Sequence, residues 1–201
     1  MIAIETFCSN FPTWIDAEGK APWEIINGLE TILDDRLLRL TQDYIINGTV
    51  AIHKTANVEQ GVTLKGRIII SENCFIGANT YLRGPVFLGS GVKIGPACEI
   101  KQSIILNNSA TAHFNYIGNS LIGANVNFEA GSICANHFNE RKDKRIFVMH
   151  KNQPMDTKSE KFGALVGDDT KVGANAVLSP GTILHKGSIV KRLELIEQRK
   201  I

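Results

Sequence analysis

Apolar or small residues stand six apart without interruption at Ile52, Val58, Leu64, Ile70, Ile76, Leu82, Leu88, Ile94, Ile100, Leu106 and Ala112. Four positions after them come compact residues such as Ala56, Val62, Ile68, Cys74, Thr80, Val86, Val92 and Cys98. A fixed short period is the mark of a solenoid. The predicted element is a short strand and a corner every six residues, with three such units per 18-residue coil. Positions one and five point into a narrow triangular prism, and glycines such as Gly77, Gly89, Gly95, Gly123, Gly167 and Gly173 suit its corners. The period breaks once: after Ala112 the next inward residues are Ile117 and Ile122, before six-residue spacing returns at Phe128 and Cys134. Two shortened rungs in a strict array mark a candidate functional region.

The pattern divides the chain. Residues 1–48 are expected to form an N-terminal helical cap. In it Trp23, Ile26, Leu29, Ile32, Leu33 and Leu37 recur at helical spacing after Pro22, with Glu24, Glu30, Asp34 and Arg36 on the polar face. A solenoid end exposes unpaired strands, so this helix is predicted to plug it, with a subunit or partner contact as the alternative. Residues 49–192 form the solenoid, interrupted by a basic inserted loop over 137–161 and resuming at Val166, Val172, Leu178, Leu184 and Val190. Within the loop, residues 145–149 suit one arm of a hairpin turning near 152–154. Residues 193–201 read as a short helix or frayed tail.

Composition changes this picture little. With 43% hydrophobic and 21% charged residues and a net charge of +2, nothing points to nucleic acid or an anionic membrane surface. No apolar run approaches a membrane span, and the start lacks a secretory pattern, so a cytoplasmic location is expected. Cys74, Cys98 and Cys134 fall at inward positions and read, with Cys8, as free thiols outside any metal or disulfide spacing.

Residues 18 apart share a face one coil apart. Lys65, Arg83 and Lys101 form such a column, continuing to Gly118, where a missing side chain leaves room for a ligand. The column is either a solvated face or a phosphate or carboxylate site. Near the shortened rungs stand His113, Tyr116, Asn127 and Asn136, the last one coil above Asn119. They gather an imidazole, a phenol and two amides with the cations along one edge. An exposed histidine is common, but in this company His113 is the candidate general base. A flat solenoid face has no deep pocket, so the site is expected in a groove between packed prisms of a cyclic trimer.

The stretches YLRGPVFLG, EIKQSII, AHFNYIGNSLIGANVNFEAGSICAN and EKFGALVGDDTKVGANAVLSPGT resemble the acetyltransferase half of the bifunctional glucosamine-1-phosphate acetyltransferase/N-acetylglucosamine-1-phosphate uridyltransferase family. The likeness covers roughly residues 50–190. It implies an all-β solenoid, a left-handed parallel β-helix, working as a homotrimer with acetyl-CoA as acyl donor and no metal. It implies that His113 is the catalytic base and that Arg83, Lys101, Tyr116, Asn127 and Lys161 hold the sugar phosphate. By the same likeness Asn136 lies near the acetyl group and pantetheine, and Ala174 contacts the cofactor. No glycine-rich nucleotide loop precedes the repeat, so the uridyltransferase half is not expected. The longer basic loop points to related chemistry on a phosphorylated amino sugar or a sugar nucleotide. The alternative is a non-catalytic sugar-nucleotide-binding regulatory or scaffold subunit. A zinc site needs three convergent histidines, which the repeat does not supply.

Overall fold

Three faces of stacked parallel strands wind about one axis. The structure, a computed structural model, describes residues 2–198. It is the parallel β-solenoid the repeat predicts, with the left-handed coil that the resemblance implies. The first face stacks Val50–His53, Ile68–Ile70, 86–88, 103–105, Leu121–Ile122, Ala164–Val166 and Thr182–Leu184. The second face is a sheet of seven two-residue strands running from Asn57–Val58 to Ile189–Val190. The third begins with Thr63–Lys65 and ends with Leu195–Ile196. The inward residues form one continuous core that includes Cys74, Cys98 and Cys134, and all four cysteines are free and buried. Leu195–Ile196 pairs with Val177–Leu178, so the solenoid runs past residue 192 and this part of the expected tail is its last rung. Residues 199–201 of that tail lie outside the described residues.

Of the two shortened rungs, Ile117 to Ile122 is where the apolar pattern placed it, and the other lies earlier than expected, one coil before it. Leu88 stacks on Ile105, not Leu106, and Ile94 stacks on Thr111, not Ala112. The five-residue steps are Ile100 to Ile105 and Ile117 to Ile122, which sit at the same corner one coil apart. There Gln102 and Asn119 adopt left-handed backbone angles, with φ of 43° and 47°. Serines complete the tightened corner. Ser103 donates to the Lys101 carbonyl at 2.7 Å and accepts the Ser120 N–H at 3.1 Å. Ser120 donates to the Gly118 carbonyl and accepts the Ala164 N–H. Leu106, displaced from the prism, packs outward beneath the N-terminal segment.

That segment is not an end plug. The expected single helix is two, α1 (Pro22–Asn27) and α2 (Leu29–Leu37), broken at Gly28. Glu24 accepts the Ala21 N–H at 2.7 Å and so caps α1. Both helices lie along the first face, α1 against 99–105 and α2 against 68–70 and 81–88. The reason is written in that face: its central residues Ala51, Ile69, Phe87, Ile104, Leu121, Leu165 and Ile183 are apolar outward as well as inward. A face apolar on both sides needs a cover. Arg67 clamps α2 through Asp34 at 2.5 Å and through Glu30. The open N-terminal end is met instead by a strand, β1 (Tyr44–Asn47), antiparallel to β2 (Val50–His53).

The segment begins at the opposite end of the prism. Asp168, buried in the sixth coil, accepts the N–H groups of Ser9 at 2.7 Å and Ala124 at 2.8 Å and donates its own to the Phe7 carbonyl. Lys186 donates to the Ser9 hydroxyl and the Glu5 carbonyl. Asp168→Ala is expected to lower stability by about 1–3 kcal/mol, because two amides lose their acceptor. Faster hydrogen exchange at Ser9, ahead of the core amides, checks this. Unchanged exchange there argues against the tie.

Candidate functional site

The insertion leaves and re-enters the coil at the tightened corner. Phe162 donates its N–H to the Asn136 carbonyl at 3.1 Å, and Gly163 donates to that of Asn119. The Asn136 side chain is 4% exposed and donates to Asn119 Oδ1 at 2.6 Å, with His137 Nδ1 3.2 Å from its carbonyl oxygen. Asn136 therefore lies one coil above Asn119, as the spacing predicts, and its amide seals the base of the insertion.

The cation column is real. Lys65 is in register with Arg83, Arg83 with Lys101, and Lys101 with Gly118. Arg83 is not free for an anion alone: it donates to Glu99 at 2.8 Å and lies over the Tyr81 ring at 5.7 Å. The bond to Glu99 raises the arginine's pKa further above its usual value. Burial, then the nearby charges of Lys161 and Arg83, lower that of Lys101. Lys161, returning from the insertion, thus joins Arg83 and Lys101. Tyr116 completes the cluster, its phenol raised by burial and by Glu99. The room at Gly118 is already taken. A Cβ there would lie 2.6 Å from the Tyr116 hydroxyl and 2.9 Å from the Asn136 amide, so the glycine admits protein side chains and not a ligand.

The expected single edge is two edges of the third face. Arg83, Lys101, Tyr116, Asn136 and Lys161 gather around its far corner. His113 stands at the near corner, before Tyr116–Gly118 begins. It is exposed, with its ring edge-on to the 69% exposed Phe114 at 5.5 Å. Asn127 opens a strand of the second face, in register with Ala110 and Lys171. Five residues of strand and corner, roughly 15 Å of chain, separate His113 from Gly118.

The register also shows a column that six-residue counting did not reveal. Thr111, Phe128, Val172 and Val190 stack in order, so two residues later His113, Ala130, Ala174 and Arg192 stack as well. Ala174 lies two rungs, roughly 10 Å, above His113 on one corner, and Arg192 one rung beyond. Glu129 fastens its upper end. Its carboxylate accepts the Ala174 N–H at 2.9 Å and pairs with Arg192 at 2.7 and 2.8 Å. The arginine and then the Ala174 N–H hold the Glu129 pKa below the usual carboxylate range. The signal for Arg192 was available as Val190 plus two, but only once the 44-residue offset across the insertion was known. Among the described residues no group of three or more His, Cys, Asp or Glu side chains is placed to hold a metal ion, and no helix is long and apolar enough to cross a membrane.

Residues 67–96 and 163–191 match the hexapeptide repeat of succinyl-transferase. A bifunctional sugar-1-phosphate nucleotidylyltransferase/acetyltransferase from Sulfurisphaera tokodaii is 30% identical over 89% of this chain and 46% of its own. A bifunctional protein GlmU from Methanococcus vannielii is 30% identical over 84% of this chain and 41% of its own. The chain thus spans less than half the length of these curated relatives. Among solved structures, a GDP-perosamine N-acetyl transferase from Caulobacter crescentus, in complex with CoA and GDP-perosamine, matches with 16% identity and a TM-score of 0.44. That match covers 82% of this chain and 63% of that one.

Proposed function

We propose that this hexapeptide-repeat chain, similar over most of its length to bifunctional nucleotidylyltransferase/acetyltransferases, is an acyltransferase. In this reading it is an acetyl-CoA-dependent N-acetyltransferase acting on a phosphorylated amino sugar or a sugar nucleotide in the cytoplasm. The observation that carries this reading is the pair of edges flanking the third face. One bears an exposed imidazole in line with Ala174 and Arg192, and the other bears the cations Arg83, Lys101 and Lys161. An extended acyl donor lies along the first, its thioester at His113 and its phosphates towards Arg192. The acceptor's phosphate sits on the second, beside Tyr116.

The two edges meet when two prisms pack side by side, and a homotrimer repeats that groove three times. Asn127 then faces the groove from the second sheet. His113 takes a proton from the acceptor amine as its nitrogen attacks the thioester carbonyl, and donors about Asn136 stabilise the oxyanion. The carbon–sulfur bond breaks, and the proton passes to the departing thiolate. The acyl transfer needs no metal.

Thiol release from acetyl-CoA, measured with a panel of amino-sugar phosphates and nucleotide-linked amino sugars, tests the reading. Turnover with one acceptor class supports it. Binding of those acceptors without turnover by any acyl donor favours the non-catalytic subunit instead.

Lys101 gives a prediction with a sign. Its pKa is lowered, so it loses its charge at a lower pH than an ordinary lysine. Acceptor KM should therefore rise on the alkaline side, and Lys101→Arg, whose charge persists, should flatten that rise. An identical alkaline limb in the arginine variant removes Lys101 from the phosphate site.

A further inference from the structure

The insertion's hairpin does not reach the cation corner. Its arms, Phe147–His150 and Gln153–Asp156, pair around a two-residue turn at Lys151 and Asn152, whose φ angles are 50° and 61°. Ile146 and Val148 are buried in the same outer cluster as the N-terminal helices, and the first arm packs on Thr182–Leu184. The tip is thereby delivered to the C-terminal end of the first face, where the N-terminal segment also starts.

Three parts of the chain, far apart in sequence, enclose a cleft of about 700 Å³ there. Phe7 comes from the N-terminal segment, His150, Lys151 and Asn152 from the hairpin tip, and His185 and Gln198 from the last coils. That volume is within the range of small-molecule sites. The Phe7 and His185 rings stack at 4.8 Å with 24° between their planes. Phe7 is buried and His185 exposed, so the imidazole is a supported platform. Gln198 is fixed in turn, donating to the Ile183 carbonyl and accepting the Ile183 N–H.

The charge is one-sided. The lining offers two imidazoles and an ammonium, and among the described residues no carboxylate lines the cleft. Burial, then Lys151 and His185, push the His150 pKa below the usual histidine range. Lys186, the next residue after His185, has its ammonium on a hydroxyl and a carbonyl. That positive surrounding disfavours the charged form of His150, and an anion bound beside it would favour that form instead.

We propose that this cleft, at the C-terminal end of the first face, binds a small phosphate-bearing anion held by His150, Lys151 and His185. The ligand would tie the basic insertion to the N-terminal segment and the last coil. The proposal does not rest on the acetyltransferase reading.

Calorimetric titration of the whole protein with inorganic pyrophosphate, with the histidine ring signals followed by NMR, tests it. The expected result is saturable binding with a Kd below about 1 mM, moving the His150 and His185 signals. His150→Gln and Lys151→Gln, both at a hairpin tip, should each weaken it at least about tenfold. Lys54→Gln, exposed at the opposite end of the solenoid, should leave it unchanged. Uridine diphosphate binding more tightly than pyrophosphate points to a nucleotide as the source, stacked on His185; equal affinity points to a free anion. Absence of saturation, or saturation insensitive to both tip variants, overturns the proposal, as does binding abolished by Lys54→Gln.

Discussion

His113→Ala is expected to lower kcat for acetyl transfer by about 10²- to 10⁴-fold, the range for loss of a positioned general base. The melting temperature should stay put, because the imidazole is exposed and its close ring neighbour among the described residues is the exposed Phe114. The decisive form of the experiment uses two defective chains. His113→Ala removes the near edge of the third face, and Lys101→Ala removes the far edge. If the site is shared between adjacent copies, co-refolding the two should restore a part of the activity that neither has alone. No recovery from mixed, folded oligomers sinks the shared groove, and full activity of His113→Ala removes the imidazole from the chemistry.

Gly95→Ala should give the largest loss of stability. A Cβ at Gly95 would stand 1.4 Å from the Ala112 carbonyl oxygen and 3.0 Å from that of Thr111. Both are backbone atoms of the next coil, held in register with Lys93–Ile94 by the parallel ladder, so neither can rotate away. Adjacent rungs would have to part, and the expected cost is at least about 4 kcal/mol, read from the urea midpoint. Gly28→Ala is the control. Its Cβ would meet the Glu24 carbonyl at 3.4 Å, an ordinary contact, and its effect should be within about 1 kcal/mol. Equal destabilisation by the two would mean that the corner clearance is not what limits the coil.

The solenoid was legible because its repeat is a steric rule: the prism admits only certain side chains at certain positions, and Ile70, Cys74 and Val92 state that rule directly. The earlier of the two shortened rungs was misplaced for an equally physical reason. Ile104, Ile105 and Leu106 are all apolar, since the first face packs on both sides, and hydrophobicity could not say which of them points inward. The cue lay in polar residues, Gln102 with Ser103 and Asn119 with Ser120, whose backbone angles and hydroxyl bonds spare one residue per coil. The same two-sided face explains why the helices were expected at an end. An amphipathic helix declares that it needs an apolar partner, not where that partner is. The cation column and the Asn136–Asn119 pair were readable from spacing, because they lie on one side of the insertion. Arg192 was not, because the insertion over 137–161 hides its register.

Coils that touch only their neighbours can come apart one at a time, like a stack peeled from its top. The bond from Ser9 to Asp168 spans 159 residues, and the Lys186–Ser9 bond spans 177. These join the N-terminal segment to the sixth and seventh coils. During synthesis the N-terminal segment must wait for the sixth coil to be made before its docking place exists. Once docked, it makes loss of the last turns cost contacts along the whole length of the first face. The strap thus turns a one-dimensional array into a unit that should melt in a single step.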